Sequence, residues 1–492
     1  MEVIIVAFNS KKSYTYDDLP KLIGYLKRAA IDAYVISEKS YFLEWYDIKG
    51  DSYQKNTISE NIGPGAEFVA RPGADGEGGG ANTSGGSAEL VSEFDEVRKS
   101  IDAIVRKWMA LPETRYGSTE INDWVKVSSI LADKAATIDG ISRGQGTIGS
   151  DILQARTWIG EMNGAVIGEF SSFVSKLESV VGGLSDEVTL WGGALNSEIK
   201  MLEEMKSSVV EAVIQGINAF NKVASDDSGN IDIALRIVET AVDAFLAFTA
   251  PSALAAKQGA SGAVKGISGR NAANGSNFVL KGISSLKDDN PRGKEVDDYS
   301  SALEALRETF EVLNENVRKV EEGVRKTLND NVNVMRANRG SYDVTLKPID
   351  SSGTGKQDGL VMNLLTVKNI NAKMYGIAGE VRRAGNDIAL VSLSDCIFRH
   401  SKIGLGPSGP SEAFNEMRDL LSRLLLDLAD DVENGAKNFE LAAEAIAEQD
   451  TDTKARLDQM AQGIRGNRTD PWSKKTEPHT GNKHNVKGNR IV

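Results

Sequence analysis

Apolar residues recur at alternating steps of three and four along most of this 492-residue chain, the spacing that lines one face of an α-helix. Leu90, Phe94, Val97, Ile101, Ile104, Trp108 and Leu111 form one such seam, which Pro112 stops. Trp124, Val127, Leu131, Ala135 and Ile138 predict a second helix ending near Gly140. Phe170, Phe173, Leu177, Val180, Leu184, Val188, Trp191, Leu195, Ile199 and Leu202 make the longest run, and Gly182-Gly183 and Gly192-Gly193 are expected to interrupt or kink it. Each central glycine costs about 1 kcal/mol of helix stability relative to Ala. Tyr299, Leu303, Leu306, Phe310, Leu313, Val317, Val320 and Val324 repeat the heptad, with charges on the opposite face.

The last helical unit has the clearest pattern. Val367, Ile370, Met374, Ile377, Val381, Ile388 and Val391 lie in a first arm over 362–399, and "GLGPSGPS" at 404–411 reads as a turn. Phe414, Met417, Leu421, Leu424, Leu428 and Val432 open a second arm, with Ser411 as N-cap; Phe439, Ala442 and Ile446 continue it, and Leu457, Met460 and Ile464 close it. Residues 362–464 therefore predict one antiparallel hairpin with a second arm roughly 75 Å long at 1.5 Å per residue.

The N-terminal stretch reads differently. "VIIVAF" predicts a buried strand, "DDLPKLIGYLKRAAI" a short helix and "DAYVIS" a second strand, together a small βαβ-like unit within residues 1–60. Residues 61–87 are glycine-rich and predict a flexible linker. The expected architecture is mainly α: elongated long-helix hairpins in a coiled-coil-like bundle, with a small N-terminal α/β unit. Its parts are a long helical region over 88–340 containing an apolar segment at 231–257, a connecting loop at 341–361, the hairpin, and a disordered basic tail at 465–492.

Charge narrows the partners. A formal net charge of −13 argues against a nucleic-acid binder, which needs clustered Lys and Arg. The single cysteine and three histidines leave no internal disulfide and little material for a metal site or a His-dependent triad. No cofactor and no enzymatic activity are expected. "MEVIIVAF" lacks the basic start and the apolar length of a cleavable leader. The charge-free part of the apolar segment, 244–256, falls short of the roughly 20 residues that cross a bilayer.

Several motifs resolve into ordinary structure. Gly144-Gln-Gly146-Thr-Ile-Gly149 and Gly404-Leu-Gly406-Pro-Ser-Gly409 match the dinucleotide fingerprint, but both follow helical patterns and read as interhelical turns. Cys396 and His400 share a helical face without an oxyanion site or an orienting group nearby, so Cys396 reads as a core residue. Asp427, Asp430, Asp431 and Glu433 spread around a helix and read as a solvated face.

Two Trp-x-Gly matches occur, Trp158-Ile-Gly160 and Trp191-Gly-Gly193. The first lies between two helical patterns, where glycine permits a sharp turn and the indole can staple two arms. "WIGEMNGAVIGEF" resembles the turn and second-helix start of the small Trp-x-Gly helical hairpins exported by type VII secretion systems of Gram-positive bacteria. The 404–460 stretch is similar to the second arm and terminal segment of actinobacterial members. Their Tyr-x-x-x-Asp/Glu export signal corresponds here to Ile446-Ala-Glu-Gln-Asp450, with Ile in place of Tyr; Tyr14-x-x-x-Asp18 fits the pattern at the other end of the chain.

The resemblance implies a non-enzymatic secreted substrate or effector-associated protein, with Trp158 and Gly160 forming the turn and Ile446 and Asp450 a degenerate signal. It would act through helical protein contacts, outside the cell or at its surface without a cleaved leader. One alternative is an α-helical pore-forming protein inserting segment 233–257, with Ala244, Phe245, Leu246 and Phe248 as its membrane-active residues. The other is a cytoplasmic coiled-coil scaffold.

Overall fold

A computed structural model describes residues 13–40, 44–57, 67–81, 88–113, 115–131, 136–138, 141–143, 146–225, 229–231, 294–346, 363–391 and 397–448. The described chain is mainly α, with eight helices and a small three-stranded antiparallel sheet. The helices are α1 (Leu19–Glu38), α2 (Ala88–Val105), α3 (Arg115–Leu131), α4 (Ile148–Gly160), α5 (Ala165–Ala224), α6 (Tyr299–Ala337), α7 (Leu364–Leu390) and α8 (Ser411–Glu448).

Helix α5 organises the bundle. It runs unbroken for 60 residues, about 90 Å of helix at 1.5 Å per residue, and packs against α1, α3, α4, α6 and α8. The glycine pairs expected to interrupt it do not. Gly192 is tolerated because the indole of Trp124 occupies the place of its side chain. Every residue from Glu187 to Ile199 is buried, so the middle of α5 is enclosed on all faces. The other heptad seams are buried as their spacing requires, from Phe94 to Leu111 and from Leu306 to Val324.

The N-terminal unit departs from expectation. "VIIVAF" lies outside the described residues. "DAYVIS", expected as a strand, is the last third of α1, because Leu26, Ala29, Ala30, Ala33 and Val35 bury one helical face and α1 packs along α5. The sheet is formed instead by β1 (Glu44–Lys49), β2 (Ser52–Thr57) and β3 (Glu67–Ala70), paired antiparallel in that order. Strand β3 falls inside the segment expected to be a flexible linker. The glycines after it take positive φ at Gly76, Gly78, Gly79 and Gly80, and buried Arg98 of α2 donates to the carbonyls of Gly76 and Gly78. Long-range hydrogen bonds thus order what local composition leaves free.

A buried ion pair ties this sheet to α1. Arg71 donates through Nε to Asp32 Oδ1 at 2.7 Å and through Nη2 to Oδ2, and Tyr53 donates to the same Oδ1 at 2.6 Å. Burial, then Asp32, pushes the Tyr53 hydroxyl well above its ordinary range.

Two further strand pairs interrupt the helical pattern. The second helix ends at Leu131, and β4 (Ala136–Ile138) pairs with β5 (Ile141–Arg143). In sequence, Asp-Gly is a favoured two-residue hairpin signal, and Asp139-Gly140 is a stronger cue than the apolar spacing that carries Ala135 and Ile138 into the helix. After α5, β6 (Gly229–Ile231) pairs antiparallel with β7 (Lys294–Val296), so the chain leaves and returns at one short clip before α6 begins. Asp298 caps α6, accepting from the backbone N–H of Ser301 at 2.6 Å.

Candidate functional site

The Trp-x-Gly stretch closes the first arm of a helical hairpin. Trp158 lies in the last turn of α4, half-buried against the core. The N–H of Glu161 donates to the Trp158 carbonyl at 3.3 Å and that of Met162 to Ile159 at 3.0 Å, tightening the helix end. Ile152, Ala155, Ile159 and Met162 are buried, as are Val166, Ile167 and Phe170 at the start of α5.

The turn itself is not Trp158-Gly160. Gly160 is the final residue of α4, exposed and without positive φ. The link runs from Glu161 to Gly164, and Gly164 holds φ 137° as it caps α5. The positive φ falls there, at the start of the second arm, while Gly160 completes the last turn of the first. Trp191-Gly-Gly193, the second match, is mid-helix: Trp191 is buried and donates through Nε1 to the Phe414 carbonyl at 3.1 Å.

The second hairpin pairs α7 with α8. Gly385 meets Leu425 and Leu426, and Ser422 Oγ donates to the Gly385 carbonyl at 2.8 Å. Arg382 reaches Asp430 at 2.8 Å and Glu433 at 2.9 Å. The acidic cluster is therefore only partly a solvated face, and Asp431 is buried. Hydrogen bonds from Lys437 and then Arg382 hold the Glu433 carboxyl below its ordinary range. The Phe170 and Phe439 rings stack at 3.9 Å, joining the two hairpins. Ile446 belongs to the last helical turn of α8, and Asp450 lies outside the described residues.

A buried charge cluster locks the loop before α8. Arg399 sits between Glu198 of α5 and Glu321 of α6, and all three side chains are fully buried. Arg399 Nη1 lies 3.5 Å from Glu198 Oε1, and Nη2 meets Glu321 Oε1. Glu321 Oε2 accepts the Leu405 N–H at 2.6 Å, and Asn314 Oδ1 accepts that of Gly404 at 2.9 Å. Gly404, Gly406 and Gly409 all take positive φ, which lets the loop fold onto α6. Burial pushes the Glu198 carboxyl up against the opposing effect of Arg399, and burial also pulls Arg399 down. Sequence reading misses this cluster because its members stand far apart in the chain and each alone resembles a surface charge.

The remaining motifs find their places. The first G-x-G-x-x-G match does follow a strand, contrary to expectation, and leads into α4 at Ile148. That strand belongs to an isolated antiparallel pair, without the parallel βαβ frame a dinucleotide requires. The second match is the loop over Glu321. His400 is exposed and its Nδ1 accepts the Lys402 N–H at 3.2 Å. Cys396, Ala244, Phe245, Leu246 and Phe248 lie outside the described residues. Among the described residues no group of His, Cys, Asp and Glu is arranged to hold a metal ion, and no helix is long and apolar enough to cross a membrane.

Comparison with protein-family models, curated proteins and solved structures finds no match to this chain.

Proposed function

We propose that this protein is a non-enzymatic substrate or effector-associated protein of a type VII-like secretion system, acting through helical protein–protein contacts. The observation that carries the reading is the α4–α5 hairpin, whose first arm ends on Trp158-Ile159-Gly160 and whose second arm begins five residues later at Ala165. The α7–α8 hairpin adds support, because its second arm runs to Glu448 and so carries Ile446, the first position of the degenerate signal, in its last turn.

The test is fractionation of the source bacterium with and without its type VII ATPase, comparing medium with cells by antibody. Protein in the medium only when the ATPase works is the expected result. Loss of export on replacing Ile446 and Asp450 together would then locate the signal. Protein retained in intact cells of both strains would overturn the reading in favour of an intracellular helical scaffold.

A further inference from the structure

Helix α7 is flanked by α3, α4 and α8, and its outer face is open among the described residues. Leu365 is 68% exposed and Leu390 is 79% exposed, with Tyr375 also exposed between them. Gly376 and Gly379 share this face, and neither has a neighbouring atom within 4 Å of the space its side chain would fill. Ala372, Arg383 and Asn386 complete the stripe. With Asn369 the series Leu365, Asn369, Ala372, Gly376, Gly379, Arg383, Asn386 and Leu390 recurs at steps of four and three, so it forms one continuous seam, with Tyr375 beside it.

The seam is its own complement when reversed. Leu365 stands eleven residues before Gly376, and Leu390 eleven after Gly379. Lys368 and Asp387 stand eight residues out on either side, Asn369 and Asn386 seven, Ala372 and Arg383 four. A second α7 laid antiparallel about the midpoint of the two glycines therefore brings Leu365 of one copy against Leu390 of the other. It sets the Arg383 stem over Ala372, and Gly376 of one copy against Gly379 of the other. Asp387 of one copy lies on the same flank as Asn369 of the other, one residue from its level, which puts an amide donor beside a carboxylate. Glycine at the crossing lets the two backbones approach closely.

We propose that this face of α7 is the seam of a two-fold symmetric, antiparallel homodimer. A two-fold contact must be self-complementary, with residue i meeting j and j meeting i, and the register about Gly376 and Gly379 matches like with like at three levels: Leu365 with Leu390, Asn369 with Asn386 and glycine with glycine. A foreign helix would impose no such symmetry on one face. The seam is about 38 Å long at 1.5 Å per residue, a small contact by the standard of permanent dimers, so the dimer is reversible. The proposal gives the helical-contact reading one definite partner. It stands on α7 alone, so failure of the export experiment leaves it intact.

The test is sedimentation equilibrium of the full chain from about 1 to 200 μM, spanning the micromolar range of a weak contact. The mass is expected to rise from 52.9 kDa toward twice that value. Leu365→Glu with Leu390→Glu is expected to weaken association at least tenfold with unchanged far-UV circular dichroism, since both side chains face solvent. Orientation is read by cysteine pairing in a Cys396→Ser background. Leu365→Cys with Leu390→Cys is expected to give a disulfide-linked dimer and Leu365→Cys alone none, because equivalent residues in the antiparallel pair stand about 37 Å apart at 1.5 Å per residue. A mass of 52.9 kDa throughout, association untouched by the two glutamates, or cross-linking by Leu365→Cys alone would each overturn the proposal.

Discussion

The indole of Trp124 fills the space a side chain at Gly192 would occupy, and its Nε1 donates to the Val188 carbonyl one helical turn away at 2.7 Å. A glycine that looks like a helix breaker is here the seat for a residue of another helix. Gly182 has no neighbour within 4 Å in the same position. The two glycines therefore predict opposite outcomes. Gly182→Ala is expected to stabilise by about 0.5–1 kcal/mol, the helical cost of glycine. Gly192→Ala is expected to destabilise by about 1–3 kcal/mol, the usual cost of overpacking a core. Urea denaturation of the two variants checks the sign of each.

The Glu198–Arg399–Glu321 cluster buries one more carboxyl than it has cations. Arg399→Met is expected to cost about 3–5 kcal/mol, because it strands two buried carboxyls without their partner. Glu198 carries a raised pKa. A group raised on folding adds stability below its unfolded value and loses it as pH rises through its folded value. The wild-type melting temperature should therefore fall more steeply with rising pH than that of Glu198→Gln. Parallel melting curves across mildly acidic to alkaline pH would refute this.

Arg71 joins the N-terminal sheet to α1 through Asp32, with both side chains buried. Replacing Arg71 with Met is expected to destabilise by about 3–5 kcal/mol and to make residues 67–81 susceptible to limited proteolysis. In the wild type the same residues should resist cleavage, which a freely flexible linker would not do.

The helical seams were legible because burial on one face imposes a period that the sequence cannot hide. Phe170, Leu177, Leu184, Trp191 and Leu202 stand where their spacing puts them, all buried in α5. What spacing does not reveal is which polar residues are drawn inside with them. Glu198 and Glu321 lie on helices whose periodicity is correct, and only the return of Arg399 from a distant loop makes their burial tolerable. The same reason hides the sheet. "DAYVIS" has strand-forming side chains, but the apolar face that α1 offers to α5 outweighs local preference. The order in the glycine-rich stretch depends on Arg98, which lies beyond it. Of the candidate site, the hairpin around Trp158 was legible, whereas the residue that takes positive φ is Gly164 and not Gly160, a choice of backbone geometry that apolar spacing does not encode.

The enclosure of α5 from Glu187 to Ile199 also limits how the molecule can come apart. Trp124 grips that stretch from α3, Phe414 meets it from α8, and Arg399 reaches it from the loop before α8. Neither hairpin can be drawn off without uncovering a tryptophan or an unpaired carboxylate, so partial dismantling has no favourable resting point. A passage narrower than the bundle is open to this chain only after these contacts have been given up together.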